Sequence, residues 1–214
     1  MKLSERTLQV LKNFSTINPT IFIRAGNEIR TIAPTKSMFA QATVPESFPK
    51  DFAIYELSRF LGVISLFTDP DFDFQDKYVT VSSGKQRVNY TYANPEMVDS
   101  PSKKTNNFPD PVATFTLTSE SLSAISKAGA ILQMPDVAIT GADGVITISA
   151  INSKESTSDT FKLEVGETNE DFQVILKPEN LKLIPAEYQV SITTAGICWF
   201  ETSDLTYWIA CLSK

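Results

Sequence analysis

Near the midpoint of this chain of 214 residues, positions 98–111 read VDSPSKKTNNFPDP, with three prolines, two asparagines, a lysine pair and no apolar periodicity. Such a segment sustains neither helix nor strand, because each proline removes a backbone donor and the polar side chains compete for the backbone groups that are left. The cores must form on either side of it. Two domains are expected, 1–97 and 112–214, joined by a connector at 98–111. Each holds about 100 residues, enough for a core of its own.

Periodicity repeats one plan in the two halves. Ser4 is a helix N-cap, and Leu3, Val10, Phe14 and Ile17 then share a face, so a helix is predicted to Ile17. Strand-like runs follow at Ile21–Arg24, Glu28–Ala33, Ser37–Val44 and Asp51–Tyr55, with Gly26-Asn27 as a hairpin signal. A second helix starts at Glu56, with Leu57, Phe60, Leu61, Ile64 and Phe67 on one side, and strands return at Tyr78–Ser82 and Arg87–Ala93. The second half opens on a strand at Val112–Leu117 and a helix from Thr118 or Ser119. Strands are predicted at Asp136–Thr140, Val145–Ile151, Thr160–Val165 and Phe172–Leu176. A short helix, Pro178–Ile184, with proline at its first position, precedes strands at Tyr188–Thr193, Ile197–Glu201 and Leu205–Cys211. The expectation is an α+β fold of two similar domains, each with two helices packed on antiparallel sheets.

The chain has no histidine, which excludes Ser-His and Cys-His nucleophile systems, His-rich zinc sites and a histidine base. Its net charge of −6 argues against a generic nucleic-acid binder. The distribution argues otherwise. Residues 1–107 carry 13 Lys/Arg against 11 Asp/Glu, and residues 108–214 carry 6 against 14. The four helical windows together hold 7 basic and 4 acidic residues, so the strands and loops hold the acidic excess. Lys2, Arg6, Lys12, Arg59, Lys127, Lys177 and Lys182 stand on or beside the outer helix faces, among Gln9, Asn13, Ser58, Ser65, Ser119, Ser123 and Ser126. Cations with hydroxyl and amide donors suit a phosphate backbone, and the lack of aromatics there argues against stacking on single strands. Seven cations on four helices is also what solvated helix faces carry, so the residues alone leave both readings open.

Other constellations carry less. Asp69, Asp71 and Asp73 occupy the first three ligand positions of a calcium loop, but Phe74 stands where glycine belongs and Thr80 where the closing glutamate belongs. An acidic surface turn is expected there, with no metal. Asp71 and Asp73 as paired acids of a hydrolase is a weaker reading, since nothing fixes their separation. The eight glycines form no GxGxxG or phosphate loop, and no GxSxG is present, so neither cofactor nor catalytic constellation is predicted. Cys198 and Cys211 read as reduced core thiols. The charged N-terminus and the short longest apolar run, Phe60–Phe67, point to an intracellular protein. Phe108 in the connector and Tyr207–Leu212 near the C-terminus either pack the domains together or floor a groove for an apolar peptide.

The opening MKLSERTLQVLKNFSTIN and the run from Asp51, DFAIYELSRFLGVISL, resemble the sliding clamps of T-even-type bacteriophages, the processivity factors of phage DNA polymerases. LQMPDVAIT from Leu132 and PAEYQV from Pro185 extend the likeness more loosely. The resemblance implies the DNA-clamp fold, a homotrimeric ring with helices lining its hole, double-stranded DNA inside it without sequence preference, and no catalysis or cofactor. It implies as partners a DNA polymerase and a clamp-loading ATPase, in the cytoplasm of the infected host. It also implies a pocket for a partner's apolar peptide beside the connector, for which Met38, Ala40, Phe108, Tyr207 and Ile209 are the candidates by position. The alternative from another class is a phage structural protein with β-rich domains and no DNA at its centre.

Overall fold

In the computed structural model, which describes residues 1–101, 109–155 and 157–213, helix α1 spans Glu5–Ile17 and starts where its cap chemistry dictates. The Ser4 hydroxyl accepts from the Thr7 backbone N–H at 3.2 Å, filling one of the vacant helix-terminal donors. Glu46 completes the end: its carboxylate accepts from the Ser4 backbone N–H and from the Thr7 hydroxyl. The buried side is Thr7, Val10, Leu11 and Phe14, packed on α2 (Leu57–Ile64) and on strands β2 (Gly26–Ile32) and β3 (Met38–Phe48).

The chain divides into two compact units, Met1–Lys103 and Lys104–Lys214. In the first, β1 (Ile21–Ile23) pairs antiparallel with β4 (Phe52–Ile54), and β2 with β3. Gly26-Asn27 therefore does not close a hairpin between β1 and β2. A bulge lies between Gly26 and Glu28, and the two strands take different partners. A three-stranded antiparallel sheet follows: β5 (Asp71–Phe74), β6 (Tyr78–Ser83) and β7 (Gln86–Thr91). The expected acidic turn is partly strand, because Asp71 and Asp73 alternate with Phe72 and Phe74 and the aromatic pair turns inward. Phe48, Phe52, Phe74 and Tyr92 cluster in tilted and edge-to-face contacts with centroids 5.2–6.0 Å apart, joining β3, β4 and β5 to the end of β7.

In the second unit β8 (Ala113–Leu117) leads to α3 (Ser119–Ile131), capped by the Thr118 hydroxyl accepting from Ser121 N–H at 3.2 Å. Five antiparallel strands run in the order β11-β10-β9-β12-β16, where β9 is Asp136–Ala142, β10 Val145–Ile151, β11 Phe161–Glu167, β12 Phe172–Leu176 and β16 Leu212–Ser213. Helix α3 lies on β10 and β11. Gly141 has to be glycine, since a Cβ there would lie 2.4 Å from the Phe172 ring and 2.6 Å from the Glu170 carbonyl. The run β15-β14-β13-β8 packs as a second layer, with β13 Tyr188–Ile192, β14 Ile197–Glu201 and β15 Leu205–Ala210.

The fourth expected helix is absent as such: Pro178–Leu181 forms one 3-10 turn, so each unit carries helical structure but the second has a single α-helix among the described residues. Pro185 disfavours the α conformation at Ile184, leaving too few residues for two turns. Leu181 and Leu183 are buried while Lys182 is exposed, an alternation of period two. Two tyrosines meet the needs of the extended backbone. Ile184 N–H donates to Tyr207 Oη at 3.3 Å, and Tyr188 Oη donates to the Ile184 carbonyl at 2.5 Å.

Partial burial works to raise the Glu46 pKa, but the hydrogen bonds from Thr7 and Ser4 outweigh it and hold the carboxyl below the usual value. Its stabilisation is therefore complete above the unfolded pKa near 4.5 and is lost as pH falls through the folded value. Glu46→Ala is expected to cost about 1 kcal/mol at pH 7, in the range of a lost helix cap. In urea unfolding at a series of pH values, the gap between variant and wild type should close as the solution is acidified.

Candidate functional site

Packing α1 by Val10, Leu11 and Phe14 leaves Glu5, Gln9, Lys12 and Thr16 on its exposed side, with Arg6 and Asn13 at the margin. Arg6 donates to Gln9 Oε1 at 2.8 Å. On α2 the buried residues are Leu57, Phe60 and Ile64, which turns Ser58, Arg59 and Gly62 outward. On α3 burial of Leu122, Ile125 and Gly129 exposes Glu120, Ser126, Lys127, Ala130 and Ile131. The exposed sides of α1 and α2 and, apart from Ala130 and Ile131 at its end, of α3 present polar groups, and none carries an aromatic, which suits phosphate contacts.

The acids on these faces have a common location. Glu5, Glu120 and Glu179 stand in the first turns of α1, α3 and the 3-10 turn, and Glu56 at the N-cap of α2. Exposed N–H groups and the helix dipole favour negative charge there. Glu120 is held below its ordinary pKa chiefly by its own backbone N–H and by the Ser119 and Thr118 hydroxyls. Beyond the first turns the charged residues are Lys12 on α1 and Lys127 on α3, while Arg6 and Arg59 stand within the first turns of α1 and α2.

The predicted cations fall into different classes. Lys2 pairs with the Asp69 carboxylate and donates to the Asp69 carbonyl at 3.0 Å; the carboxylate's hydrogen bond raises its pKa. Arg59 meets Glu56 at 3.3 Å and keeps 74% of its side chain exposed. Lys182 is exposed next to the 3-10 turn. Lys12 and Lys127 are exposed and have no ion-pair partner among the described residues. Lys177 is committed to the fold: its ammonium lies 2.6 Å from Asp136 Oδ1, and the Asp136 side chain is only 3% exposed. The other carboxylate oxygen accepts from the Ser153 hydroxyl at 2.5 Å and backbone N–H at 3.2 Å. Burial pushes the Asp136 pKa up, and the bonds from Lys177 and Ser153 overcome that and bring it below the ordinary value.

The residues expected to hold a partner peptide are placed otherwise. Met38 and Ala40 on β3 and Tyr207 and Ile209 on β15 are all buried, offering no open apolar surface. Tyr207 spends its hydroxyl on Ile184. Phe108 lies outside the described residues. A groove of about 730 Å³ that sequence reading did not name lies between α3 and the 3-10 turn, with Leu122, Ile125 and Leu181 among its apolar walls and Lys182 among its polar ones. Pro185, which curtails the fourth helix, was the signal for it. Asp71 and Asp73 stand exposed on β5, Asp73 accepting from Gln75 at 2.6 Å. Among the described residues no group of three potential ligands is placed to hold a metal, and no helix is long and apolar enough to cross a membrane.

Comparison with known proteins fits this geometry. Residues 2–97 match the family model described as DNA polymerase processivity factor, and residues 114–213 the model described as gp45 sliding clamp, C terminal. A sliding clamp of Vibrio phage KVP40 is 38% identical, covering 98% of each chain, and that of Enterobacteria phage T4 is 30% identical, covering 98% of this chain and 96% of its own. Among solved structures, the PCNA of A. fulgidus, bound to the C-terminal region of FEN-1, superposes with a TM-score of 0.75 at 12% identity, over 100% of this chain and 97% of that one.

The Lys177–Asp136 contact separates fold from function. Lys177→Met leaves a buried carboxylate with only Ser153 to satisfy it and is expected to destabilise the protein by about 2 kcal/mol. Lys127→Met should change stability by less than about 0.5 kcal/mol. Urea unfolding of the two variants beside wild type checks both.

Proposed function

The chain belongs to the sliding-clamp family of DNA polymerase processivity factors, and on that premise we propose that three copies close head to tail around duplex DNA and tether the replicative polymerase. The observation that carries this reading is the match of both halves, together nearly the whole chain, to phage sliding clamps. It disfavours a phage structural protein and equally a hydrolase built on the exposed Asp71 and Asp73 of β5. The proposed division is into domains 1–97 and 112–214 with the connector at 98–111, which the limits of the two family models support.

A ring linked topologically to DNA needs no tight contact. It needs weak, interchangeable contacts that exchange one phosphate for the next. Lysines and arginines on mobile stems among serine, asparagine and glutamine supply these and read no bases. In this proposal the outward sides of α1, α2 and α3, with Lys12, Arg59 and Lys127 foremost and Lys2, Arg6 and Lys182 beside them, face the duplex.

Ring closure is supported by two free edges. Strand β7 ends its three-stranded sheet and β11 ends its five-stranded one. Val88 and Tyr90 on β7, and Phe161, Leu163 and Val165 on β11, are only half-buried, and another strand beside each would cover them. Arg87 stands on β7, and Lys162, Glu164 and Glu167 on β11, so the two edges carry net charge of opposite sign when they pair. Because the two edges differ, pairing is head to tail and builds a ring when the rotation closes.

The partners proposed are the polymerase and a clamp-loading ATPase, in the host cytoplasm, and the chain itself performs no catalysis. A partner's apolar peptide docks beside the connector, with Phe108 the candidate contact. Met38, Ala40, Tyr207 and Ile209 are buried and expose no apolar surface to it.

Light scattering at several concentrations should give a mass near three times 23.7 kDa, and Leu163→Lys should lower it toward that of a single chain. A single-chain mass for wild type throughout would refute the ring. Lys12→Glu combined with Lys127→Glu should reduce processive synthesis roughly tenfold at moderate salt, leaving mass and unfolding midpoint unchanged. Full processivity in that variant would show that these helix sides do not face DNA.

A further inference from the structure

We propose that Cys198 and Cys211 are a modification site, a thiol pair that a low-molecular-weight disulfide converts to an intramolecular disulfide stapling the chain's last strand to the β14–β15 hairpin. This is independent of the clamp reading. The two sulfurs lie 3.1 Å apart, inside van der Waals contact. The register explains why: Cys198 opposes Ile209, and Cys211, two residues on, shares that face. The backbones are already joined at this level, Cys211 N–H donating to the Gly196 carbonyl at 2.9 Å. Gly196 permits the approach. Its φ is +82°, and a Cβ there would stand 3.2 Å from the Cys211 carbonyl oxygen. Closing a disulfide therefore asks for about 1 Å of sulfur movement and no new backbone pairing.

The location gives the bond a consequence. Cys211 is the residue at which the chain leaves β15 and enters β16, which pairs with β12 in the other layer of the second unit. A covalent link to Cys198 fixes that crossing. Cys211 is the attacking sulfur. It is 8% exposed where Cys198 is closed off, so a small disulfide in solution reaches it first. Its thiolate attacks one sulfur of oxidised glutathione and expels one glutathione thiolate. Cys198 then gives up its proton and attacks Cys211 Sγ in the mixed disulfide, expelling the second. Two protein thiols are oxidised, one glutathione disulfide is reduced to two thiols, and the two protein protons end on the departing thiolates.

The test uses the full chain in glutathione buffers from reducing to oxidising, followed by acid quench, alkylation and peptide mapping. The expected result is loss of both alkylatable thiols with a Cys198–Cys211 cross-link, and a midpoint of thermal unfolding raised by about 5 °C. Amide exchange at β12 and β16 should slow in the oxidised protein. Two alkylatable thiols at every ratio, or a stable single glutathione adduct on wild type, overturns the proposal. Cys198→Ser should stop at the mixed disulfide on Cys211; an adduct that forms only in Cys211→Ser overturns the assigned order of attack.

Discussion

A helix packed on a sheet has one side it must bury and one it cannot, and that constraint determines what this protein presents to its surroundings. Val10, Leu11 and Phe14 on α1, Leu57, Phe60 and Ile64 on α2, and Leu122, Ile125 and Gly129 on α3 fix the rotation of each helix. The polar side then has its charge arranged by a second rule, the preference of helix N-termini for anions. With the glutamates drawn to the first turns, the rest of each outward side is left to lysine, arginine and small donors. An acidic chain can thus carry basic residues on its helices, with Arg6 and Arg59, each beside a glutamate of its own first turn or cap, standing against the dipole preference.

The same economy limits how many cations are free for a ligand. Lys177 stands beside a helical turn like the others, yet it neutralises Asp136 across 41 residues of sequence, and Lys2 is drawn to Asp69. A side chain that balances a buried carboxylate cannot leave for a phosphate without exposing the fold to the cost of an unpaired buried charge. Lys12 and Lys127 carry no such obligation. The division follows from burial of the partner acid, and it sorts cations that are identical by type and by helical position.

That division also marks where sequence reasoning ends. The three α-helices and their caps at Ser4 and Thr118 were legible, because a period of 3.6 and a capping hydroxyl are local signals. Most strands were legible from alternation. β5 was hidden under a resemblance to a calcium loop, although Asp71-Phe72-Asp73-Phe74 alternates as a half-buried strand should. The fourth helix failed because Pro185 disfavours the α conformation at Ile184, whose backbone groups are then satisfied by Tyr188 four residues on and by Tyr207, distant in sequence. Met38, Ala40, Tyr207 and Ile209 were misplaced for a related reason: an apolar residue looks the same in sequence whether it floors a groove or fills a core. The ion pair of Lys177 had no local signature. The family was legible early, but from likeness of residues and not from periodicity or charge.

Free strand edges expose the fold to unintended association, and a protein must use them or guard them. On β7 and β11 the inward residues are apolar and half-covered, while the exposed charges are Arg87 on one and Lys162, Glu164 and Glu167 on the other, of opposite net sign. Guarding would call for like charge on both edges, proline or an inward-pointing lysine. Opposite charge on two different edges does the reverse: it discourages β7 from pairing with β7 and β11 with β11, and favours β7 with β11. An isologous dimer is disfavoured by the same residues that favour a head-to-tail contact. In the proposed ring each copy would offer one edge of each kind, so association would continue until the first copy meets the last, and closure would cover the half-buried apolar residues of β7 and β11.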